Sequence, residues 1–180
     1  THYFFENRDT LTTFLDNVAA LCKPGGYFIG TCYDGQRVFD ALEDKEVGDG
    51  ISLKEDGRVL VSITKEYDSQ IFKADDTSLG YPILVTQESI GKPAREYLVN
   101  LEYLTRELRV RGFEPAPSSV TRGSGMGNSV DGFASVYNAL SRQGGRLRPA
   151  EQQALQMSKA EKDLSFLNAY FVFQKIEEDA

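Results

Sequence analysis

The sequence is short of the residues that usually announce chemistry. Among 180 residues there is one histidine, His2, there are two cysteines, Cys22 and Cys32, and there is no tryptophan. The cysteines lack any spacing typical of a metal site. They read as two buried free thiols of an intracellular protein, Cys22 on an apolar helix face. No apolar run approaches the ~20 residues of a membrane span, and no signal-peptide pattern is present. Positive charge is also scarce. With 20 Lys and Arg against 27 Asp and Glu the net charge is −7, which argues against a broad nucleic-acid surface. A grip on one nucleotide and a few phosphates stays compatible with it. No catalytic dyad or triad is visible. No Gly-x-Gly loop follows a first strand, where a nucleotide-like cofactor usually meets a doubly wound sheet. With Thr1 rather than Met at the start, the chain is expected to be a piece of a longer protein.

What is present is a globular core. Hydrophobic residues make up 41% and aromatic residues 11%, enough for one domain or a large piece of one. The stretch Lys23-Pro24-Gly25-Gly26-Tyr27-Phe28-Ile29-Gly30-Thr31 organises the rest. Pro24 cannot continue a helix, and the glycines allow the left-handed turn that ends one. Tyr27, Phe28 and Ile29 are strand formers, expected in a buried central strand flanked by helices. Gly30 would let backbone or ligand approach at the carboxyl end of that strand, where open α/β sheets bind ligands.

Taken in order, Asp9 or Thr10 is a candidate N-cap for a helix whose apolar face carries Leu11, Phe14, Leu15, Val18, Leu21 and Cys22. After Tyr33 and an Asp34-Gly35 turn, Gln36 to Leu42 reads as a short helix, and 43–50 as an acidic loop. From 51 to 88 the pattern turns to strands, with Val59, Val61 and Ile63 in alternation and further candidates at Ile71-Phe72 and Ile83-Leu84-Val85. This is expected to be an antiparallel insertion that serves as a lid or wall at the ligand end. Leu98, Leu101, Leu104 and Leu108 predict a helix stopped by Gly112, and Phe113 to Pro117 a strand segment. The tract 118–129 reads as a mobile loop; the Lys-Ser/Thr of a phosphate loop does not follow its glycines. Val130, Phe133, Val136, Tyr137 and Leu140 predict a helix ended by Gln143-Gly144-Gly145. A helix over Pro149 to Met157 follows, then a capping box Ser158-x-x-Glu161, a last strand over Asn168 to Lys175 and an acidic tail.

Four segments occur in the order of one family. His2-Tyr3-x-x-Glu6, then a helix and Pro24-Gly25-Gly26-Tyr27-Phe28-Ile29-Gly30-Thr31, then Glu96-Tyr97-Leu98-Val99-Asn100, then Tyr170-Phe171-Val172-Phe173, together resemble the messenger-RNA cap guanine-N7 methyltransferases. The resemblance covers most of this chain but only the second half of that family's catalytic domain. It implies an S-adenosylmethionine-dependent methyltransferase fold, Rossmann-like, as its C-terminal portion with an antiparallel β insertion. It implies S-adenosylmethionine as methyl donor, 5′-capped RNA as substrate, and no metal. It places most of the cofactor pocket in the missing N-terminal half, so that this piece alone is expected to be inactive. Partners would include that half or other capping-enzyme domains, and the setting would be intracellular: nucleus for a cellular protein, cytoplasm or virion for a viral one.

By the same resemblance His2, Tyr33, Glu96 and Tyr170 contact the cap guanine, and Tyr3 approaches the methyl donor. At Tyr33 cellular members commonly have proline. A register slip of two residues would put Asn168 in the place of Tyr170. The chemistry suits a sequence without a general base, because guanine N7 offers a free lone pair and the protein need only position and stabilise. Guanine presents N1–H and an N2 amino group side by side, and one carboxylate accepts from both. Adenine lacks that pair, and such mismatches discriminate by roughly 10⁴–10⁵ in favourable sites. Two other readings stay open: a non-catalytic cap-binding or stimulatory subunit with the same fold, and a methyltransferase acting on another small molecule.

Overall fold

The computed structural model describes residues 1–88, 90–121, 126–142 and 147–176. Within them the chain is mixed α/β with two antiparallel sheets. A single 3-10 turn, His2–Glu6, leads into α1, Arg8–Leu21. The N-cap of α1 is Asn7 rather than Asp9 or Thr10. Its side chain accepts from the Thr10 amide at 3.0 Å, and the Thr10 hydroxyl takes the Asn7 N–H in return. Thr10 is thus the third helical residue of a capping box, which is why the helix starts two residues early. Leu11 and Leu15 are buried, whereas Leu21 at the far end is 85% exposed. Cys22 caps the helix and is only half-buried; Cys32 is the buried thiol.

Gly25 then takes a positive φ of 74°, and its amide donates to the Lys175 carbonyl at 2.8 Å. The chain enters β1, Tyr27–Tyr33, which pairs antiparallel with β8, Asn168–Lys175. On the other side of β8 lie β6, Phe113–Pro115, and β7, Val130–Gly132. The central strand is therefore β8. Tyr27–Thr31, expected at the centre, lies at the edge among the described residues, with Tyr27 46% and Ile29 67% exposed. An apolar run marks a strand that can be covered on both sides, but its position depends on which strands pair with it.

Gly30 does not face a ligand. It sits opposite Phe171, and a Cβ there would come within 2.4 Å of that ring. The glycine makes room for a cross-strand aromatic. Phe171 and Phe173 lie on the face of β8 that packs against α1 and α3, Leu101–Arg109, with Phe5, Leu104, Leu108 and Cys32. Burying one such side chain contributes about 1.5–3 kcal/mol.

Past β1, Asp34 caps α2, Gly35–Ala41, by accepting from the amides of Gln36 and Arg37. The second sheet runs β2, Gly50–Glu55, then β3, Arg58–Lys65, β4, Pro82–Gln87, and β5, Ala94–Tyr97, in sequential order. It extends beyond the expected span 51–88 and so takes in Glu96. Ile71 and Phe72 are not in a strand; Phe72 instead stacks on Phe39 in an aromatic cluster with Tyr67 and Tyr81. Val38 and Phe39 of α2, with its C-cap Leu42, pack with Val61, Ile63, Ile83 and Val85 of the sheet.

Asn100 caps α3, accepting from the Tyr103 amide at 3.0 Å, so the helix starts after Leu98. Ser118–Thr121 forms one helical turn, α4, within the tract read as a loop; Gly123 and Gly125 lie outside the described residues. Val130 belongs to β7, and α5 is Phe133–Arg142; the expected stop at Gln143-Gly144-Gly145 also lies outside, as does the acidic tail from 177. Helices α6, Pro149–Leu155, and α7, Lys159–Ser165, lead into β8, with Pro149 in the first turn of one and the Ser158–Glu161 capping box opening the other.

Candidate functional site

The two sheets meet where β1 ends. The Asp34 amide donates to the Leu167 carbonyl at 2.8 Å, and the Gly35 amide donates to the Val99 carbonyl at 3.0 Å. The first bond ties the end of β1 to the segment that leads into β8, and the second holds it against the segment that follows β5. Gly35 is required there, since a Cβ would fall 2.4 Å from the Val99 oxygen. Tyr33 and Glu96 are carried on the two sides of this junction.

Glu96 pairs with Ile83 across β5 and β4, so its side chain shares the inward face on which Ile83 and Val85 are buried. Only 12% of that side chain is exposed. Among the described residues no hydrogen-bond donor reaches its carboxylate. Burial pushes the carboxyl pKa up. His2 Nδ1 lies 3.9 Å from Glu96 Oε2. Burial pushes the imidazole down to about 4, so the ring is neutral at pH 7 and the contact is no ion pair there. His2 Nε2 is buried and has no hydrogen-bond partner among the described residues. Tyr3 stands edge-on to His2, ring centroids 4.2 Å apart, and is 53% exposed.

Tyr33 is buried, and its hydroxyl accepts from Gln87 Nε2 at 3.0 Å. Among the described residues that hydroxyl donates to nothing. Burial raises its pKa, and the nearby Glu96 charge adds to the rise. The corner thus gathers a sheltered carboxylate, a neutral imidazole and a phenol, each with hydrogen-bonding capacity unspent. Buried polar groups are normally satisfied, so several unspent ones around one point mark a place for a polar ligand. A carboxylate acceptor beside a phenol donor fits a planar edge that offers N–H groups next to an oxygen.

His2, Tyr3, Tyr33 and Glu96 are brought to this corner. Tyr170 is not at its centre. It pairs with Thr31, on the same sheet face as Tyr33 but one step back, and Asn168 is the residue directly opposite Tyr33. The Tyr170 hydroxyl donates to the Asn128 carbonyl at 2.9 Å, and the ring packs with Ala116, Val172 and Phe133. Asn168 donates to the Leu164 carbonyl at 3.1 Å. Gln87 was not singled out from the sequence. The signal was there: Ile83, Val85 and Gln87 alternate along β4, and a glutamine in the third inward position is out of place unless it has a polar partner. Among the described residues no cluster of three or more metal-ligating side chains occurs, and no helix is long and apolar enough to cross a membrane.

No protein-family model matches the sequence, and no curated protein matches it. Among solved structures the chain is similar to the CcbJ methyltransferase from Streptomyces caelestis, with a TM-score of 0.44 and 14% sequence identity. That likeness covers 97% of this chain and 53% of the other, so the chain spans about half the length of that enzyme. An overlap this distant places neither a substrate nor a cofactor.

Proposed function

We propose that the chain is the C-terminal part of an S-adenosylmethionine-dependent methyltransferase that methylates guanine N7 of the messenger-RNA 5′ cap. The observation that carries this reading is Glu96: a carboxylate with 12% of its side chain exposed and no donor on it among the described residues, beside the neutral His2 and the buried Tyr33. His2 and Glu96 belong to motifs found in the order of the cap methyltransferases, and Tyr33 stands where cellular members commonly have proline.

Glu96 accepts from guanine N1–H and the N2 amino group, which orients the base and leaves N7 outward. Its negative charge also offsets the positive charge that grows on the ring as N7 is alkylated. The N7 lone pair needs no base, so His2 can remain neutral and act by contact. Tyr33 bounds the base on the side of β1, with Asn168 directly opposite it and Tyr170 one step back on the same sheet face. S-adenosylmethionine supplies the methyl group, and Tyr3, exposed beside His2, is the residue here that would line its side. Capped RNA is the partner, with the preceding half of the catalytic domain or other capping domains alongside. A non-catalytic cap-binding subunit would use the same pocket and show binding without transfer.

The test is methyl transfer to GpppRNA by the protein at its natural length, with and without Glu96→Gln. The amide keeps the shape but replaces an acceptor with a donor and removes the charge. A hydrogen bond to a charged partner contributes about 1.5–3 kcal/mol, and an unmatched buried donor costs about 1–3 more. The variant should lose roughly two orders of magnitude or more in kcat/KM with cofactor affinity unchanged. Near-normal transfer would make Glu96 a bystander, and parallel loss of cofactor binding would make it a fold residue.

A further inference from the structure

We propose that Gln87 makes the Tyr33 hydroxyl a dedicated hydrogen-bond donor, which reads guanine O6 and completes recognition of the edge that Glu96 begins. This rests on the cap-guanine reading above.

A phenol oxygen can accept and donate. In this structure the accepting role is taken, because Gln87 Nε2–H points at the Tyr33 oxygen from 3.0 Å. The proton is left without a partner among the described residues. An amide N–H cannot receive it, so the hydroxyl turns its proton away from Gln87. The ring that carries it is anchored. Tyr33 is 8% exposed, its strand is paired to β8, and the next amide is bonded to Leu167. Gln87 is held by β4, which carries the sheet face that Glu96 shares. Glu96 is thus set by the second sheet, and the phenol by the end of β1 and its bond to Gln87.

Guanine fits that pair of groups. Its Watson–Crick edge reads N2 amino, N1–H, O6: two donors and then an acceptor. Glu96 accepts from the first two, and the next atom needs a donor. Adenine reverses the last position with its N6 amino group, which would face the Tyr33 proton and be rejected. Gln87 is then a positioning residue, acting through Tyr33, and Tyr33 is a specificity residue. A proline at the position of Tyr33 could offer no such donor, so this form of O6 reading is particular to this chain.

The probe is the cap dinucleotide GpppG against its 6-thioguanosine counterpart, in which the O6 acceptor becomes a weak sulfur acceptor while N1–H and N2 remain. Both are titrated into the protein at its natural length. The wild type should prefer GpppG by roughly five- to tenfold, the worth of one net hydrogen bond. Tyr33→Phe should bring that ratio close to one while leaving the thio analogue's affinity nearly unchanged. Gln87→Glu should do the same by a different route, since a carboxylate takes the phenol proton and reverses the hydroxyl. A merely structural role for either residue would weaken both ligands equally. A ratio retained in Tyr33→Phe or in Gln87→Glu overturns the proposal. So does a wild type that binds GpppG, loses it in Glu96→Gln, and shows no O6 preference; the cap reading would then survive alone. Absence of GpppG binding by the wild type would overturn both.

Discussion

Gly35→Ala should destabilise the protein and loosen the corner that holds Tyr33 and Glu96. The added methyl would lie 2.4 Å from the Val99 oxygen, 2.7 Å from its carbonyl carbon and 2.8 Å from its nitrogen. All three are backbone atoms, so no side-chain rotation relieves the clash. The two segments must separate, and the Gly35 N–H to Val99 carbonyl bond at 3.0 Å is lost with them. Overpacking costs about 1–3 kcal/mol and the hydrogen bond about 1 more, while the better helix propensity of alanine returns up to about 1. The net is about 1–4 kcal/mol, or a Tm lower by roughly 2–16 °C for a chain of this size. Thermal unfolding followed by circular dichroism reads this directly. Gly127→Ala is the control, because among the described residues a Cβ there meets nothing within 4 Å; it should be neutral or slightly stabilising. If Gly35→Ala melts with the wild type, β1 and the segment after β5 are not in the contact described, and the placing of Glu96 beside Tyr33 falls with it.

Acid should destabilise the protein through His2. Its folded-state pKa lies near 4 against an ordinary 6.5, so the unfolded chain takes up the proton first; stability should fall from about pH 6.5 to about pH 4, by up to ~1.4 kcal/mol per pH unit, and level off below. Glu96 works in the opposite sense, because its raised pKa favours the folded state at low pH. His2→Asn should flatten the acid limb of a urea-midpoint profile, and an unchanged limb would refute the assignment. Asn7→Ala removes the capping box of α1 and should cost about 1 kcal/mol by the same melts, with Asp9→Ala well below that. Phe171→Ala empties the space over Gly30 and should cost about 3–5 kcal/mol; a loss under 1 kcal/mol would mean that the β1–β8 pairing is wrong.

Much of the local structure was legible in the residues alone. The Ser158–Glu161 capping box, the turn at Gly25, the alternation of Val59, Val61 and Ile63, and the leucine spacing of α3 each depend on neighbours in sequence, and each appears where those neighbours put it. Candidate ligand residues could likewise be named one by one. Other features depend on partners far away in the chain. Tyr27–Thr31 has the composition of a central strand, yet its place in the sheet depends on pairing with β8, some 140 residues later. Gly30 looked like room for a ligand, and only the cross-strand register shows that Phe171 fills it. Gln87 is an ordinary polar residue until the second sheet folds back and its amide meets Tyr33. Local propensity acts within a turn or a strand. Which unspent donor faces which acceptor is decided by packing between segments, and a single chain read in order does not contain that distance.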